Sequence, residues 1–514
     1  MEATTLKDHG SYSTAVWLYM LCAFLFCYTF YKGVMSRLKT LPPGPRGLGA
    51  MVCMIKSLKE GTLHKQAQVW SDQYGELVLC RTPIGNFCFL NSVRMIREML
   101  THKEREALTN DRPRSFPGWY ILYNYRDVVS SGPNFDSDWL KRRRLFHQAI
   151  KFYGDGVERF ESTVQKQLER LTSEIDGKAG GEIDMENLLS YSLLCVLIVL
   201  LTGECPERGS KTIELIRCLM DTDNEAFDAS VDAAMCAAPF LRFVPGTYYR
   251  DLCRRIESSR DLVMEELFTK TKASHTPGQP RGIIDVLLDE QLKGENHWLK
   301  DDNIRGIIIN ILAGGFLSSL NTLKATFLYL THNPEAISKI QKELDDVIGE
   351  RPPNVKDKYD LPYTEAVILE TLRCSSIIPL GVTHETREDV ELNGFTVPKG
   401  CTVYTNILAV HHDPAKWDDP DRFRPERFLD DKGQLLPAIH PVRHSLLPFG
   451  VGRRSCPGEN FGRTRVFLYV TTLLQKFDIL PPVKHDLPAA DPYCFGSGNV
   501  LVPQPYHLIF RRRT

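Results

Sequence analysis

The sequence predicts a mainly α-helical protein with a small β portion, built as one large domain that follows an N-terminal membrane anchor. Its 514 residues are more than one small core needs. Long stretches repeat apolar residues at the spacing of a helix, whereas strand-type runs are short. One uncharged apolar stretch lies ahead of all these elements, near the start of the chain.

The anchor is predicted in residues 1–40, and residues 41–514 form the predicted catalytic domain. Residues 15–31 carry no charge, and their length is at the short end of the roughly 17–25 residues that span a bilayer as a helix. Trp17 and Tyr31 suit the membrane interface, and the basic residues that follow favour a cytosolic location for the rest of the chain. A cleaved signal peptide is the alternative, but neither a basic start nor a small-residue cleavage site is evident. We expect an uncleaved, single-pass anchor.

The predicted elements follow the anchor in order. Prolines in residues 41–47 fix a stiff elbow, because proline locks φ and excludes helix. Apolar runs around Pro83 and Gly85 predict a β-hairpin over residues 77–89. Periodicity then predicts four helices, over residues 139–173, 301–330, 335–349 and 362–374, and two short strands, over residues 389–398 and 401–406.

The composition excludes two classes of protein. The 63 Lys and Arg balance 64 Asp and Glu, so no global charge indicates a nucleic-acid partner. The 14 cysteines are scattered singly without a C-x-x-C pair, which fits neither a disulfide framework nor a zinc site. Reduced thiols in a cytosol-facing protein are therefore expected, and a cysteine with a special role must be identified by its neighbours.

Cys456 has such neighbours. Residues 449–458 match F-G-x-G-x-R-x-C-x-G and run into an apolar helical stretch over residues 465–477. Backbone N–H groups and a helix N-terminus can stabilise a thiolate, and glycines let the backbone pass close to a flat macrocycle. Arg454 can pair with an acidic group of that macrocycle. A phosphate loop would need G-x-x-x-x-G-K-[ST], which is absent.

With this motif the chain resembles a cytochrome P-450, and it is most similar to the microsomal animal branch of drug-metabolising and steroid-hydroxylating enzymes. The resemblance implies the cytochrome P-450 fold and a haem b whose iron takes the Cys456 thiolate as axial ligand. It also implies haem contacts for Phe449 and Arg454. A location in the endoplasmic reticulum membrane, with the catalytic domain in the cytosol, follows from the same resemblance.

Further family signatures occur in the expected order. Trp139 and Arg143 match W-x-x-x-R, a pair one helical turn apart that the resemblance places at a haem propionate. His384 stands where the family has another propionate partner. Lys141, Arg142 and Arg144 surround Arg143, and they form either a solvated helix face or a docking surface for the NADPH-dependent reductase, which electrostatic steering would favour.

A Glu-Arg-Arg triad is also implied. Glu370 and Arg373 supply E-x-x-R on one helix face, and by resemblance Arg427 completes the triad under the haem. Exposed ion pairs contribute about 0–1 kcal/mol, whereas removal of one partner from a buried set costs about 3–5 kcal/mol. The triad is therefore expected to fix the cysteine loop and to take no part in catalysis.

The sequence departs from the family on the opposite side of the haem. The long active-site helix of the family carries [A/G]-G-x-[D/E]-T-[T/S], and residues 314–319 are the ungapped equivalent. Gly314 and Gly315 are retained and are expected to open space for a distal ligand. Leu317 replaces the acid and Ser318 replaces the threonine of the pair that helps deliver protons to oxygen. Leucine cannot relay a proton, whereas Ser318 can hold a water or bond to a peroxide. Gly315, Leu317 and Ser318 are the candidate catalytic positions.

Three functions stay open at this point. A reductase-dependent monooxygenase of a hydrophobic lipid, steroid or aromatic molecule fits the anchor and the family match. A fatty-acid hydroperoxide isomerase or lyase, of the epoxyalcohol or allene-oxide synthase type, needs neither O₂ nor NADPH and fits the loss of the acid. A non-catalytic haem binder is the third. By family position, the expected pocket lining is residues 116–125, 237–245, 316, 377–382 and 497–500, which are mostly apolar.

Overall fold

The computed structural model describes residues 40–123, 132, 134–153, 158–178, 180–226, 228–496 and 498–513. The predicted anchor lies outside the described residues. Two stretches within them are long and apolar enough to cross a bilayer, Met185–Thr202 and Asp301–His332, but 72% and 67% of their apolar 18-residue windows is buried inside the protein. Burial of that extent is what core helices show, so neither stretch replaces the predicted anchor.

Helices dominate the described residues, as the sequence predicts. In chain order the α-helices are α1 Gly47–Lys59, α2 Leu63–Tyr74, α3 Val93–Thr101, α4 Glu106–Thr109, α5 Ser137–Ile150, α6 Glu158–Gly177, α7 Met185–Thr202, α8 Lys211–Ala226, α9 Ala229–Ala237, α10 Tyr248–Met264, α11 Lys270–Ala273, α12 Ile283–Lys293, α13 Asp301–Gly315, α14 Leu317–His332, α15 Pro334–Val347, α16 Pro362–Ser375, α17 Ile407–His411, α18 Pro441–His444 and α19 Glu459–Lys476.

The strands form three small sheets in the described residues. They are β1 Leu77–Thr82, β2 Gly85–Leu90, β3 Glu182–Asp184, β4 His384–Glu385, β5 Val390–Leu392, β6 Phe395–Val397, β7 Thr402–Thr405, β8 Phe477–Leu480 and β9 His507–Arg512. One sheet has the order β1-β2-β7-β4, in which only β2 and β7 are parallel. The others are β3-β9-β8 and the β5-β6 hairpin.

Several predicted elements are confirmed, and others are divided in the structure. The hairpin over residues 77–89 forms as β1 and β2. The helix predicted over residues 139–173 is two helices, α5 and α6. The strand predicted over residues 389–398 is the β5-β6 hairpin, which turns at Asn393 and Gly394 with φ of 51° and 77°. That pair is a common hairpin turn, because both residues tolerate the left-handed region.

The apolar helix α7 was not predicted from the sequence. It is nearly all buried, so its apolar residues form a continuous run and not a stripe. Asp184 caps its start by accepting the N–H of Asn187 at 3.0 Å, and Gly203 ends it with φ of 81°. It packs against α14 in the main core, and its Ser192 hydroxyl lies 2.6 Å from the Tyr469 hydroxyl of α19, so these three helices form the framework that surrounds the site.

The proline elbow is part of the folded domain. The carbonyls of Pro43 and Pro45 accept the N–H groups of Leu79 and Arg81 at 2.8 and 2.9 Å, so the elbow pairs with the outer edge of β1. A Cβ on Gly44 would lie 2.4 Å from the Leu79 carbonyl oxygen, which is too close for any other residue. The predicted stiffness therefore comes from the sheet as well as from proline.

Candidate active site

Cys456 lies at the end of a tight loop that precedes α19. Its backbone N–H donates to the carbonyl of Phe449 at 2.8 Å, which closes the loop. Gly450 and Gly452 have φ of 70° and 76°, the left-handed region that favours glycine. A Cβ on Gly452 would lie 2.8 Å from the carbonyl oxygen of Leu100. The glycines of the motif therefore set the loop closure and its approach to α3.

The side chain of Cys456 faces an internal cavity. Burial raises the pKa of the Cys456 thiol, whereas the N–H of Gly458 and the charge of Arg143 lower it. A Cβ on Gly458 would lie 3.9 Å from the Cys456 sulfur, so this glycine lets the chain pass close to the thiol. A bound metal ion deprotonates a coordinating thiol, and the thiol is presented for that role.

The cavity has a volume of about 360 Å³. Its walls are mainly aliphatic and aromatic side chains, among them Phe146, Ile311, Ile368, Ile377 and Phe461. The described lining residues include no Asp or Glu, although Arg112, Arg143 and Arg454 belong to them. An apolar site that carries only positive charge suits an apolar ligand with acidic groups.

Trp139, Arg143 and Arg454 come together beside Cys456. The Arg143 and Arg454 guanidinium carbons lie 5.3 and 4.1 Å from the centroid of the buried Trp139 ring. Arg143 Nη2 donates to the carbonyl of Ser455 at 2.5 Å. Arg454 donates from Nε and Nη2 to two backbone carbonyls at 2.9 and 2.8 Å. Arg143 and Arg454 line the cavity, whereas Trp139 contacts both arginines and is not among the described lining residues.

His384 and Arg112 extend this wall. His384 Nδ1 lies 3.0 Å from the carbonyl oxygen of Thr109, and because a carbonyl only accepts, Nδ1 carries the proton. Burial, with the charges of Arg112 and Arg454, holds the pKa of His384 well below its usual range. Arg112 donates from Nη1 to two successive backbone carbonyls, both at 2.6 Å. Arg112 belongs to none of the sequence motifs, so its place at the site was not predicted.

The helix pair α13 and α14 carries the segment that departs from the family. The predicted long helix is broken at Phe316, whose φ and ψ are −89° and −72°. Gly314 faces open space, because a Cβ there meets nothing within 4 Å. A Cβ on Gly315 would lie 2.8 Å from Leu197 of α7. Both glycines line the cavity, but Gly314 opens space there and Gly315 allows close helix packing.

Ser318 and Leu317 have different surroundings. Ser318 lines the cavity, and its Oγ donates to the carbonyl of Gly314 at 2.8 Å. Leu317 packs against the main hydrophobic core and is not among the described residues that line the cavity. Ser319 and Thr322, which the sequence did not single out, continue the line of hydroxyl groups on the cavity side of α14.

The predicted triad is present and buried. The Glu370 carboxylate accepts hydrogen bonds from Arg373 Nε and Nη2 at 2.8 and 2.9 Å and from Arg427 Nε at 3.0 Å. Arg373 Nη1 also donates to the carbonyl of His411 at 2.7 Å. The His411 imidazole in turn accepts the N–H of Leu447, two residues before the loop, at 2.8 Å. No motif marks His411, which connects the triad to the cysteine loop.

The expected pocket lining is found only in part. Tyr123 and four residues of the 377–382 segment line the cavity. Phe316 is buried in the main core and does not line it, and neither do the described residues of 237–245 and 497–500. Positions 124, 125 and 497 lie outside the described residues.

These residues fit a haem. The described part of the chain has no cluster of three or more His, Cys, Asp and Glu that could hold a metal ion. The apolar walls suit a macrocyclic ring, and Arg112, Arg143 and Arg454 suit its acidic groups. Phe449 lines the cavity too.

Residues 42–510 match the family model for cytochrome P-450. The chain belongs to the cytochrome P-450 family. This cytochrome P-450 is 27% identical over 507 residues to farnesoate epoxidase of Bombyx mori, covering 96% of this chain and 99% of that one. It is 30% identical over 428 residues to vitamin D(3) 25-hydroxylase of Sus scrofa, with 82% of each chain covered.

A solved zebra fish cytochrome P-450, determined with progesterone, has the same fold. Its TM-score is 0.75 at 27% sequence identity, and the match covers 87% of this chain and 99% of that one. The predicted fold class, a mainly helical single domain, is thereby confirmed. Family membership also confirms the haem-thiolate cofactor and places this cytochrome P-450 among monooxygenase-type oxidoreductases.

Proposed function

We propose that this cytochrome P-450 is a reductase-dependent monooxygenase that oxidises a hydrophobic small molecule of lipid, steroid or aromatic type. The strongest support is the apolar cavity, which is lined by Cys456 and by residues on both sides of the break between α13 and α14. Two relatives are named for their action on farnesoate and on vitamin D(3), and the solved relative was determined with progesterone. Walls of this polarity would accept ligands of all three kinds.

Cys456 is the proposed axial ligand of the haem, which supplies the activation of oxygen when it is bound. Arg112, Arg143 and Arg454 are the proposed propionate partners, because their guanidiniums lie on one cavity wall that no carboxylate shares among the described residues. His384 would add a fourth contact there. The buried Trp139 ring holds Arg143 and Arg454 in place, and Phe449 is proposed to contact the ring.

Ser318 is the proposed proton-handling residue. Its hydroxyl hydrogen is directed to the Gly314 carbonyl, which leaves the Oγ lone pairs free to accept from a water in the cavity. Thr322 Oγ1 donates to the carbonyl of Ser318 at 2.7 Å and lines the cavity one turn further on. Because Leu317 packs into the core, proton delivery is proposed to run through ordered water and these hydroxyls.

The reductase is proposed to dock at the basic residues 141–144 in the middle of α5. Lys141 and Arg144 are exposed and Arg142 is partly exposed, while Arg143 between them reaches the cysteine loop at Ser455. Lys141 is balanced in part by Asp138, 3.2 Å away. A positive surface directly behind the haem ligand would attract an acidic electron donor at the place where the electron path is shortest.

Residues 1–40 are proposed to anchor the protein in the endoplasmic reticulum membrane with the catalytic domain in the cytosol. The support is the uncharged stretch over residues 15–31 and the relation to microsomal cytochromes P-450. Full-length protein should stay with membranes after alkaline carbonate extraction, and a protein lacking residues 1–39 should be released. Release of both proteins would contradict the anchor.

Purified full-length protein, reconstituted with NADPH-dependent reductase in phosphatidylcholine vesicles, tests the activity. Progesterone, vitamin D3 and farnesoate are offered separately, and a fatty-acid hydroperoxide is offered without reductase or NADPH. We expect a product that contains one atom from O₂ only when NADPH and reductase are present. Rapid turnover of the hydroperoxide alone would overturn the proposal in favour of an isomerase, which none of the relatives named above supports. A Cys456→Ala protein should lose the thiolate-specific carbon-monoxide band.

A further inference from the structure

Arg465 lies on α19 and faces the break between α13 and α14. Its side chain is almost completely buried, with 3% of the residue exposed. Nη2 donates to the carbonyl of Gly315, the last residue of α13, at 2.9 Å. The same nitrogen donates to the hydroxyl of Ser319, in the first turn of α14, at 2.5 Å. One guanidinium nitrogen therefore bridges the two helices across Phe316.

No carboxylate in the described part of the chain balances the charge of this guanidinium. Among the described residues no ion pair involves Arg465, and its Nε and Nη1 are buried without a hydrogen-bond acceptor. Burial lowers the pKa of Arg465 to about 10. Arg373 provides the contrast, because it is equally buried but paired with Glu370 at 2.8 Å. A buried charge that lacks its partner destabilises a fold, so folding alone does not account for Arg465.

The position of Arg465 suggests what it does instead. Gly315 and Ser319, its two acceptors, line the same cavity as Cys456, and so does Arg465. Ser318 lies between these acceptors and bonds to Gly314. A change in the separation of the two helix ends would therefore move the Ser318 hydroxyl relative to Gly314. The break is held by Arg465 from the opposite helix, since Phe316 has no side-chain polar group to do so.

We propose that Arg465 is a positioning residue, which holds the α13–α14 break at a fixed width and adds a positive charge beside it. This inference rests on the proposed monooxygenase function. The family pattern implies an acid at this break, and the chain has Leu317 there. In this protein a cation stands beside the break instead, bonded to the Gly315 carbonyl and the Ser319 hydroxyl; a guanidinium only donates hydrogen bonds, so it fixes the geometry and does not replace the acid as a proton carrier. The Ser318 hydroxyl is then aligned by Arg465 and not by a neighbouring carboxylate.

Four variants of the full chain test this role. Arg465→Met removes the charge and both hydrogen bonds while keeping a side chain of similar length. Arg465→Lys keeps the charge but loses the planar guanidinium group. Ser319→Ala removes one acceptor and leaves the arginine. Thr471→Val is the matched control, because Thr471 is a buried hydroxyl on the same helix that bonds only within α19 and does not line the cavity.

We expect Arg465→Met to keep the carbon-monoxide band and to melt no lower than the wild type, because a costly buried charge is removed. Product formed per NADPH should nevertheless fall roughly tenfold, which converts to about 1.4 kcal/mol, and more peroxide should be released. Arg465→Lys should recover part of this ratio. Adding Ser319→Ala to Arg465→Met should cause little further loss, since both act through one contact.

Unchanged product per NADPH in Arg465→Met would overturn the proposal. The proposal would also be overturned if Thr471→Val lowered the melting temperature and the product per NADPH as much as Arg465→Met does. The role of Arg465 would then be structural only. If Arg465→Met does not fold, Arg465→Lys and Ser319→Ala carry the same comparison. The C–O stretching frequency of the reduced, carbon-monoxide form needs no turnover. A shift in Arg465→Met would support the proposal even if the wild type oxidised none of the probes, and no shift in that protein would overturn it.

Discussion

The Nε2 atom of His411 accepts the backbone N–H of Leu447 at 2.8 Å, and this contact joins the buried triad to the loop that presents Cys456. Because Nε2 accepts, Nδ1 carries the proton and donates it to the hydroxyl of Ser376 at 2.9 Å. Burial, together with the charge of Arg373, holds the pKa of His411 well below its usual range. The imidazole is therefore neutral and has one fixed tautomer.

We predict that His411→Ala loses haem more readily than it loses its fold. The substitution leaves the Leu447 N–H buried without an acceptor, which costs about 1–3 kcal/mol, and it releases the start of the cysteine loop. The measurements are the haem-to-protein ratio and the rate of haem transfer to apomyoglobin. Thr371→Val is the control, since its buried hydroxyl has no partner among the described residues. Equal haem retention in both variants would contradict the prediction.

Gly452→Ala should disturb the cysteine loop more than its backbone conformation alone explains. A non-glycine residue at positive φ costs about 1–2 kcal/mol, and here the added Cβ would also lie 2.8 Å from the Leu100 carbonyl oxygen. Gly400→Ala is the matched variant, with φ of 67° and no atom within 4 Å of the Cβ. Both should lower the melting temperature, but only Gly452→Ala should weaken the carbon-monoxide band.

Ser318→Ala should uncouple turnover without loss of haem. Removal of the hydroxyl takes away one hydrogen-bonding group on the proposed proton route, so product per NADPH should fall roughly tenfold, equivalent to about 1.4 kcal/mol. Ser318→Thr, which keeps the hydroxyl, should remain coupled. Thr326 lies two turns further along α14, where its hydroxyl donates to the Thr322 carbonyl at 2.8 Å. As the control, Thr326→Val should leave product per NADPH unchanged. Coupled turnover in Ser318→Ala would argue against the proposed relay.

The stability of the folded domain should fall between about pH 6.5 and pH 4 through His64. Burial lowers the pKa of His64 from 6.5 to about 4, and its Nε2 has no partner among the described residues. Below pH 6.5 the unfolded chain binds a proton that the folded chain does not, so unfolding is favoured as the pH falls. At pH 5 the loss relative to neutral pH is about 2 kcal/mol.

Urea unfolding at about pH 7.5 and pH 5 measures this effect. His64→Leu should reduce the difference in unfolding free energy between the two pH values by about 2 kcal/mol. His102→Gln, a change at an exposed histidine, should leave that difference as it is in the wild type. A His64→Leu protein with the full pH dependence of the wild type would show that another group is responsible.

The parts of the site that the sequence predicts are those that lie in motifs of the cytochrome P-450 family. Trp139 and Arg143 match W-x-x-x-R, and the glycines near Cys456 belong to F-G-x-G-x-R-x-C-x-G. Each of these motifs is a short stretch of chain whose spacing can be recognised. Arg465 and Gly315 are far apart in the chain and belong to no shared motif. Their contact arises only when α19 packs against the break, which no periodicity marks.

The same distinction applies to the fold. The sequence predicts the β1–β2 hairpin because its turn lies between two apolar runs, and it predicts α15 because its apolar residues recur on one face, which is the buried one. Helix α7 has no such face, since its neighbours bury nearly all of it, and a uniformly apolar run has no period to detect. The side chains of Leu197 and Arg465, which contact the chain at the break beside Phe316, are both distant from it in sequence.

The pairing of Pro43 and Pro45 with β1 sets a limit on how far the N-terminus can be shortened. A protein that began after Gly47 would lose the acceptors of the Leu79 and Arg81 N–H groups and leave the outer edge of β1 uncovered. Exposed strand edges with unpaired N–H groups recruit other chains and promote aggregation. The Thr40 carbonyl also accepts the N–H of Thr396 at 2.8 Å, so a soluble version for crystallisation should begin no later than Thr40.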